Sequence, residues 1–185
     1  MLKGKLVGLA AIEKSDLKQL MDWRNNEDFR KYFREYRELN MAMQEHWFEN
    51  QVLNNKSTLM FAIRRLSDQL LLGCCGFVYI NWVHRHADLS LYIGWQDAYI
   101  DHEGYAEDSC NIILRYGFNE LGLNKVWTEI YEFDDKKWEL FRRIGFKQDG
   151  MLRENYFYNG KWWGSRMISI LATDHLDDKR PNDSR

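Results

Sequence analysis

The stretch DHEGYAEDSCNIILRYGF, Asp101 to Phe118, decides how the chain is read. Ala106, Cys110, Ile113, Leu114, Gly117, Phe118 and, further on, Leu121 fall on one stripe, predicting an amphipathic helix from Gly104 to Leu121 with Gly122 as its stop. A tight turn at Gly104 leads into it, and the first backbone N–H groups of a helix lack partners within the helix. Such an end suits an anion. Yet Asp101, Glu103, Glu107 and Asp108 crowd this end, and no Lys or Arg lies between Arg85 and Arg115. Two outcomes stay open. The acids point outward and the main chain holds the anion, or Asp101 or Glu103 folds inward, caps the helix itself and repels it.

Outward from this helix, ADLSLYIGW alternates Leu89, Leu91 and Ile93 against Asp88, Ser90 and Tyr92, as a half-exposed strand would. NKVWTEIYEF follows as another strand, and DDKKWELFRRIGF as a second helix with acids in its first turn, arginines in its last and Gly145 beyond. GMLRENYFYNGKWWGSRMISIL reads as a hairpin about Asn159-Gly160, in which one of Trp162 and Trp163 must face away from the core. Upstream, MLKGKLVGLAAIEKSD reads as a first strand, and Ser15 as the N-cap of a helix through Leu17, Leu20, Met21 and Arg24. FRKYF and MAMQEHWFENQVLNN are further helices, the latter burying Met43, Trp47, Phe48 and Val52, and STLMFAIRRL and LLLGCCGFVYINW a pair of apolar strands. The expectation is one α+β domain over residues 1–173 around a single central sheet, with a polar tail at 174–185.

Composition supports one domain: 185 residues, 45% hydrophobic and 15% aromatic, are enough for a single sizeable core. A formal charge of −2 gives no electrostatic reason for a nucleic-acid partner. The N-terminus has neither a signal peptide's apolar region nor a membrane span, and Cys74, Cys75 and Cys110, odd in number, two of them adjacent and all in apolar surroundings, read as buried thiols rather than a disulfide or a metal site. Together these favour the cytoplasm and no membrane partner. His84, His86 and His102 lack the spacing of a metal-ligand set, so no metal is expected.

ADLSLYIG, EGYAEDSCNIILRYGFNELGLNKV, DDKKWELFRRIGFKQDG and YNGKWW, in this order and at these distances, resemble the GNAT N-acetyltransferase superfamily. MDWRNNEDFRKYF is similar to the substrate-side helices of the branch that acts on ribosomal-protein N-termini and small amines. The resemblance implies a mixed, mostly antiparallel sheet with splayed central strands. It also implies direct transfer of acetyl from acetyl-CoA to a primary amine, without a metal or a covalent enzyme intermediate. The pyrophosphate would lie on the turn at His102, Glu103, Gly104, Tyr105 and Ala106, and the pantetheine arm would pair with the main chain of Leu91, Tyr92 and Ile93. Asp134 stands where the family has Asn, and Lys137, with Lys136, Arg142 and Arg143, would bring positive charge from the neighbouring helix.

The attacking amine must lose a proton, and Asp88 and Glu129 are the candidate catalytic carboxylates, Asp88 standing where related sequences often carry Glu. A solvated strand carboxylate is the plainer reading of each. The tyrosine often proposed to protonate the leaving thiolate corresponds to Phe141, which has no proton to give. Trp23, Arg24, Tyr36 and Trp47 are the candidate acceptor residues, although aromatic side chains at helical spacing serve a core equally well. Arg24 beside a pocket mouth would orient an acidic or phosphorylated acceptor. A lining of acids would instead favour a polyamine, and six acids fall from Asp88 to Asp108. A small amine, an amino sugar and a protein N-terminus all remain open, in a monomer or homodimer. The rival reading is a non-catalytic acyl-CoA-binding or regulatory module.

Overall fold

The computed structural model describes residues 1–177. Eight strands form one sheet in the order β1-β2-β3-β4-β5-β6-β8-β7. They are β1 (Leu2–Lys3), β2 (Val7–Ala10), β3 (Leu59–Arg65), β4 (Leu71–Asn81), β5 (His86–Ile93), β6 (Lys125–Tyr131), β7 (Lys147–Tyr158) and β8 (Lys161–Leu171). Among the described residues only β5 and β6 run parallel, and the crossover between them is α4 (Tyr105–Asn119), because parallel neighbours need a long connection. Before the sheet's centre come α1 (Leu17–Asn25), α2 (Glu27–Arg30) and α3 (Met41–Trp47), the last running on as a π-helical turn, Phe48–Leu53. After β6 comes α5 (Asp135–Ile144), and after β8 comes α6 (Ala172–Asp177).

The predicted amphipathic stripe is the buried face of α4: Ala106, Cys110, Ile113, Leu114, Gly117 and Phe118 are all buried, and the helix crosses β2, β4 and β5. Asn159 and Gly160 both take positive φ, at 51° and 72°, and close the β7–β8 hairpin. Trp162 is the exposed one of the adjacent tryptophans, tilted against Phe157, while Trp163 packs edge-on against Phe133.

Several expectations are corrected. The first strand is two, folded back at Gly4 so that Leu2 pairs with Leu9, and the turn is held from afar because the Asp108 carboxylate accepts the N–H groups of Lys5, Leu6 and Val7. Ser15 caps nothing, since it lies inside a 3-10 turn whose capping box is formed by Glu13 and Asp16. On α3 the fully buried position is Gln44, with Met43 and Trp47 only partly covered. β5 has buried residues on both faces: α4 packs against the strand, and Phe33, just beyond α2, packs on the Tyr92 ring. Cys74 and Cys75 are likewise both buried although they point to opposite faces, and burial pushes the Cys74 and Cys110 thiols up to about 12. The chain from 174 continues in α6 as far as Asp177, and the rest of the expected tail, 178–185, lies outside the described residues.

Candidate active site

Pairing between β5 and β6 ends early. His86, Ala87 and Asp88 face Lys125, Val126 and Trp127, and from there the strands part. Into the gap opens a cavity of about 790 Å³ whose wall includes Arg24, Arg34, Asp88, Leu91, Glu129 and Lys137. A second cavity, of about 680 Å³, shares Arg24, Glu35, Arg37, Trp47 and Gln51 with the first, so the two adjoin through that wall.

Asp88 closes the end of the β5–β6 ladder and is 2% exposed. Burial pushes its carboxyl above the ordinary value, against the opposing pull of Arg34, Lys137 and the Thr128 hydroxyl. Arg34 donates to Asp88 Oδ2 at 2.7 Å and to Glu129 Oε2 at 3.4 Å, tying the two candidate carboxylates together. Glu129 also accepts from Asn155 and from the Ser165 hydroxyl, both at 2.6 Å, so the closing hairpin fixes its orientation. Arg34 went unread in the sequence. It lies in the irregular stretch between α2 and α3, and no periodicity marks it.

On the main chain of β5, Tyr92 pairs with Cys74 of β4, and alternation turns the polar groups of Leu91 and Ile93 the other way. The Ile93 N–H donates to the Tyr99 carbonyl at 2.9 Å, which leaves Leu91 as the residue of the three whose main chain faces the gap. The Tyr92 ring is buried edge-on against Phe33.

The helix end resolves the question of the acids. Gly104 caps α4 with φ at +92°, a conformation that L side chains rarely adopt. Asp101 folds inward: its two carboxylate oxygens accept the N–H groups of Tyr105 and Ala106, each at 2.7 Å. His102 and Glu103 are exposed, and the His102 N–H reaches the Glu103 carboxylate at 3.2 Å. Of the six acids from Asp88 to Asp108, Asp88 alone lines the cavity. Asp97 accepts from Asn26, Glu107 pairs with Arg143, and Asp108 holds the β1–β2 turn. The acidic acceptor lining considered above is therefore corrected in its source: Asp97, Glu107 and Asp108 face elsewhere, and the carboxylates in the wall are Glu35, Asp88 and Glu129.

Asp134 caps α5 through the Lys137 N–H at 3.1 Å and accepts the Tyr99 hydroxyl at 2.5 Å, with burial pushing its carboxyl up. Lys137 stands in the cavity wall, and burial pulls its ammonium below the ordinary lysine value, against Asp134 and Asp88. Phe141 is fully buried, packed edge-on against Phe146. Among the acceptor candidates, Arg24 and Trp47 line both cavities and Tyr36 stands exposed at the rim of the first. Trp23 is corrected to a core position: its ring lies so close to Gly94 that an added Cβ would fall 1.9 Å from it, and it lines neither cavity.

Parallel strands that part beside a helix N-terminus leave an open strand edge next to a cavity, with a buried carboxylate at the fork. Residues 7–147 match the acetyltransferase (GNAT) domain model, and the chain belongs to that family. Its activity is that of the family, acetyl-CoA-dependent acetylation of an amine. Spermidine N(1)-acetyltransferase of Vibrio cholerae is 27% identical, over 91% of this chain and 95% of its own. The Escherichia coli enzyme of the same name is 24% identical, over 94% and 90% respectively. The crystal structure of the Vibrio cholerae enzyme with CoA and spermine superposes with a TM-score of 0.84 at 24% identity, covering 92% of this chain and 98% of that one.

Proposed function

We propose that the chain acetylates a small primary amine bound in the Asp88 cavity, with acetyl-CoA entering through the β5–β6 gap. The observation that carries this reading is the fork itself: an open strand edge at Leu91 beside a buried carboxylate and a cavity large enough for a small amine. The gap suits the amide-rich pantetheine arm, which needs backbone partners rather than side chains. The helix end suits a diphosphate once Asp101 swings away from Tyr105 and Ala106, since Gly104 offers no side chain to block the approach. Acetyl-CoA supplies the thioester carbonyl that the amine attacks.

Asp88, directly or through a water molecule, takes the proton that the amine must lose, and its raised affinity for a proton suits it to that task. Arg34 and Glu129 hold Asp88 and the acceptor side in register. Phe141 cannot act as an acid. Most of the rate enhancement then comes from placing amine and thioester together. The test is release of CoA thiol when the full chain is incubated with acetyl-CoA and a panel of primary amines. Amine-dependent release, reduced at least about a hundredfold by Asp88→Asn, supports the proposal. Absence of release with every amine, while acetyl-CoA still binds, would favour the non-catalytic reading.

A further inference from the structure

The two cavities share Arg24 and Arg37, and of these Arg24 has a guanidinium that makes no hydrogen bond or ion pair among the described residues. The other arginines of these walls are engaged: Arg34 with Asp88 and Glu129, Arg37 with both oxygens of Glu35 at 2.8 and 2.7 Å. Arg24 stands at the last turn of α1, and its guanidinium lies over the Phe33 ring, 4.8 Å from the centroid. Its Nε is buried and has no hydrogen-bond partner among the described residues. A charged donor withdrawn from water and left unpaired is unfavourable unless something outside the chain completes it. Stacking occupies a face of the guanidinium and leaves its N–H edges free, the geometry that grips a carboxylate or phosphate through two parallel bonds.

The charge of the wall points the same way. Its three acids are all engaged, Asp88 and Glu129 sharing Arg34 and Glu35 paired with Arg37, so none stands without a basic partner. Arg24 remains without an ion pair among the described residues, whereas Lys137 lies in the field of Asp134 and Asp88. The spermidine acetyltransferases that this chain resembles are named for a polycation, whereas the basic side chains of this wall, Arg24, Arg34, Arg37 and Lys137, outnumber its carboxylates, Glu35, Asp88 and Glu129.

We infer that the acceptor is an anionic amine, whose carboxylate or phosphate is held by Arg24 where the two cavities meet while its amino group faces Asp88. This deepens the proposed function and rests on it for the position of the amine. Matched acceptors test it: glucosamine against glucosamine 6-phosphate, ethanolamine against phosphoethanolamine, β-alaninamide against β-alanine, with spermidine alongside. The phosphate and carboxylate arms identify the source of the anion. Binding of the same compounds to the CoA-loaded chain is measured by calorimetry, so the preference is read whether or not turnover occurs.

In at least one pair, the anionic member should bind and react about tenfold or more better than its neutral partner, the scale of one charge-assisted bond. Arg24→Gln should abolish that difference by lowering the anionic member far more than the neutral one, and Arg24→Lys should restore part of it. Melting curves of both variants separate loss of the subsite from loss of the fold. Equal handling of each pair, preference for spermidine, or an equal loss for charged and neutral acceptors in Arg24→Gln would overturn the inference. Failure of turnover alone counts against the proposed function, whereas failure of the anionic preference in binding counts against this one.

Discussion

Asp88 is a carboxylate held where charge is disfavoured, and stability should show it. Because burial raises its folded pKa above the unfolded 3.8, its contribution to stability is full below the unfolded value and is lost as pH rises through the folded one. Asp88→Asn stays neutral throughout. The variant should therefore melt at or above the wild type at pH 7, with the gap closing on acidification, while turnover falls by about 10²–10⁴-fold. A variant that melts well below the wild type at pH 7 would show that the Arg34 bond outweighs the burial. Arg34 supplies a second test, since it pulls the Asp88 carboxyl down against burial. In Arg34→Met the acidic limb of the pH–rate profile should move to higher pH, and an unmoved limb would detach Asp88 from the proton transfer. Arg34 could not be read from the sequence, because it meets its partners across 54 and 95 residues from a stretch with no repeat. Trp23 was misread for the opposite reason: a tryptophan at helical spacing looks alike whether it lines a pocket or packs under Gly94.

α4 was legible from its apolar stripe, and the glycine at its start from the turn that precedes it. What the stripe could not reveal was where Asp101 would point, since an acid beside a helix start satisfies local rules either outward or inward. The fold brings it inward, where it serves the helix as a cap and occupies two donors that suit a diphosphate. Asp101→Ala should therefore act in opposite directions on two measurements. The free protein should lose about 1 kcal/mol of stability, as expected for a lost cap. Its affinity for CoA should rise by about tenfold or more, on the scale of the charge-assisted bonds released. Weaker CoA binding in the variant would show that Asp101 assists the cofactor rather than competing with it. The strand β5 was half legible: its alternation was read correctly, but not the packing of Phe33, just beyond α2, on the Tyr92 ring of its polar-looking face.

At the scale of the whole molecule, the order of strands and helices was readable because turn residues and periods punctuate the chain, and the single sheet follows from it. Two things depended on tertiary geometry alone. One is the early end of the β5–β6 ladder, since each of the two strands looks ordinary in sequence. The other is the convergence of distant segments on the fork, with Arg34 from the N-terminal third, Asp88 from the middle and Asn155 and Ser165 from the hairpin. Evidence that this fork is an acetyl-CoA site comes most directly from calorimetric titration of acetyl-CoA into the full chain and into Asp101→Ala. A single saturable site per chain, tighter in the variant, is the predicted result; no saturable heat with either protein would contradict it.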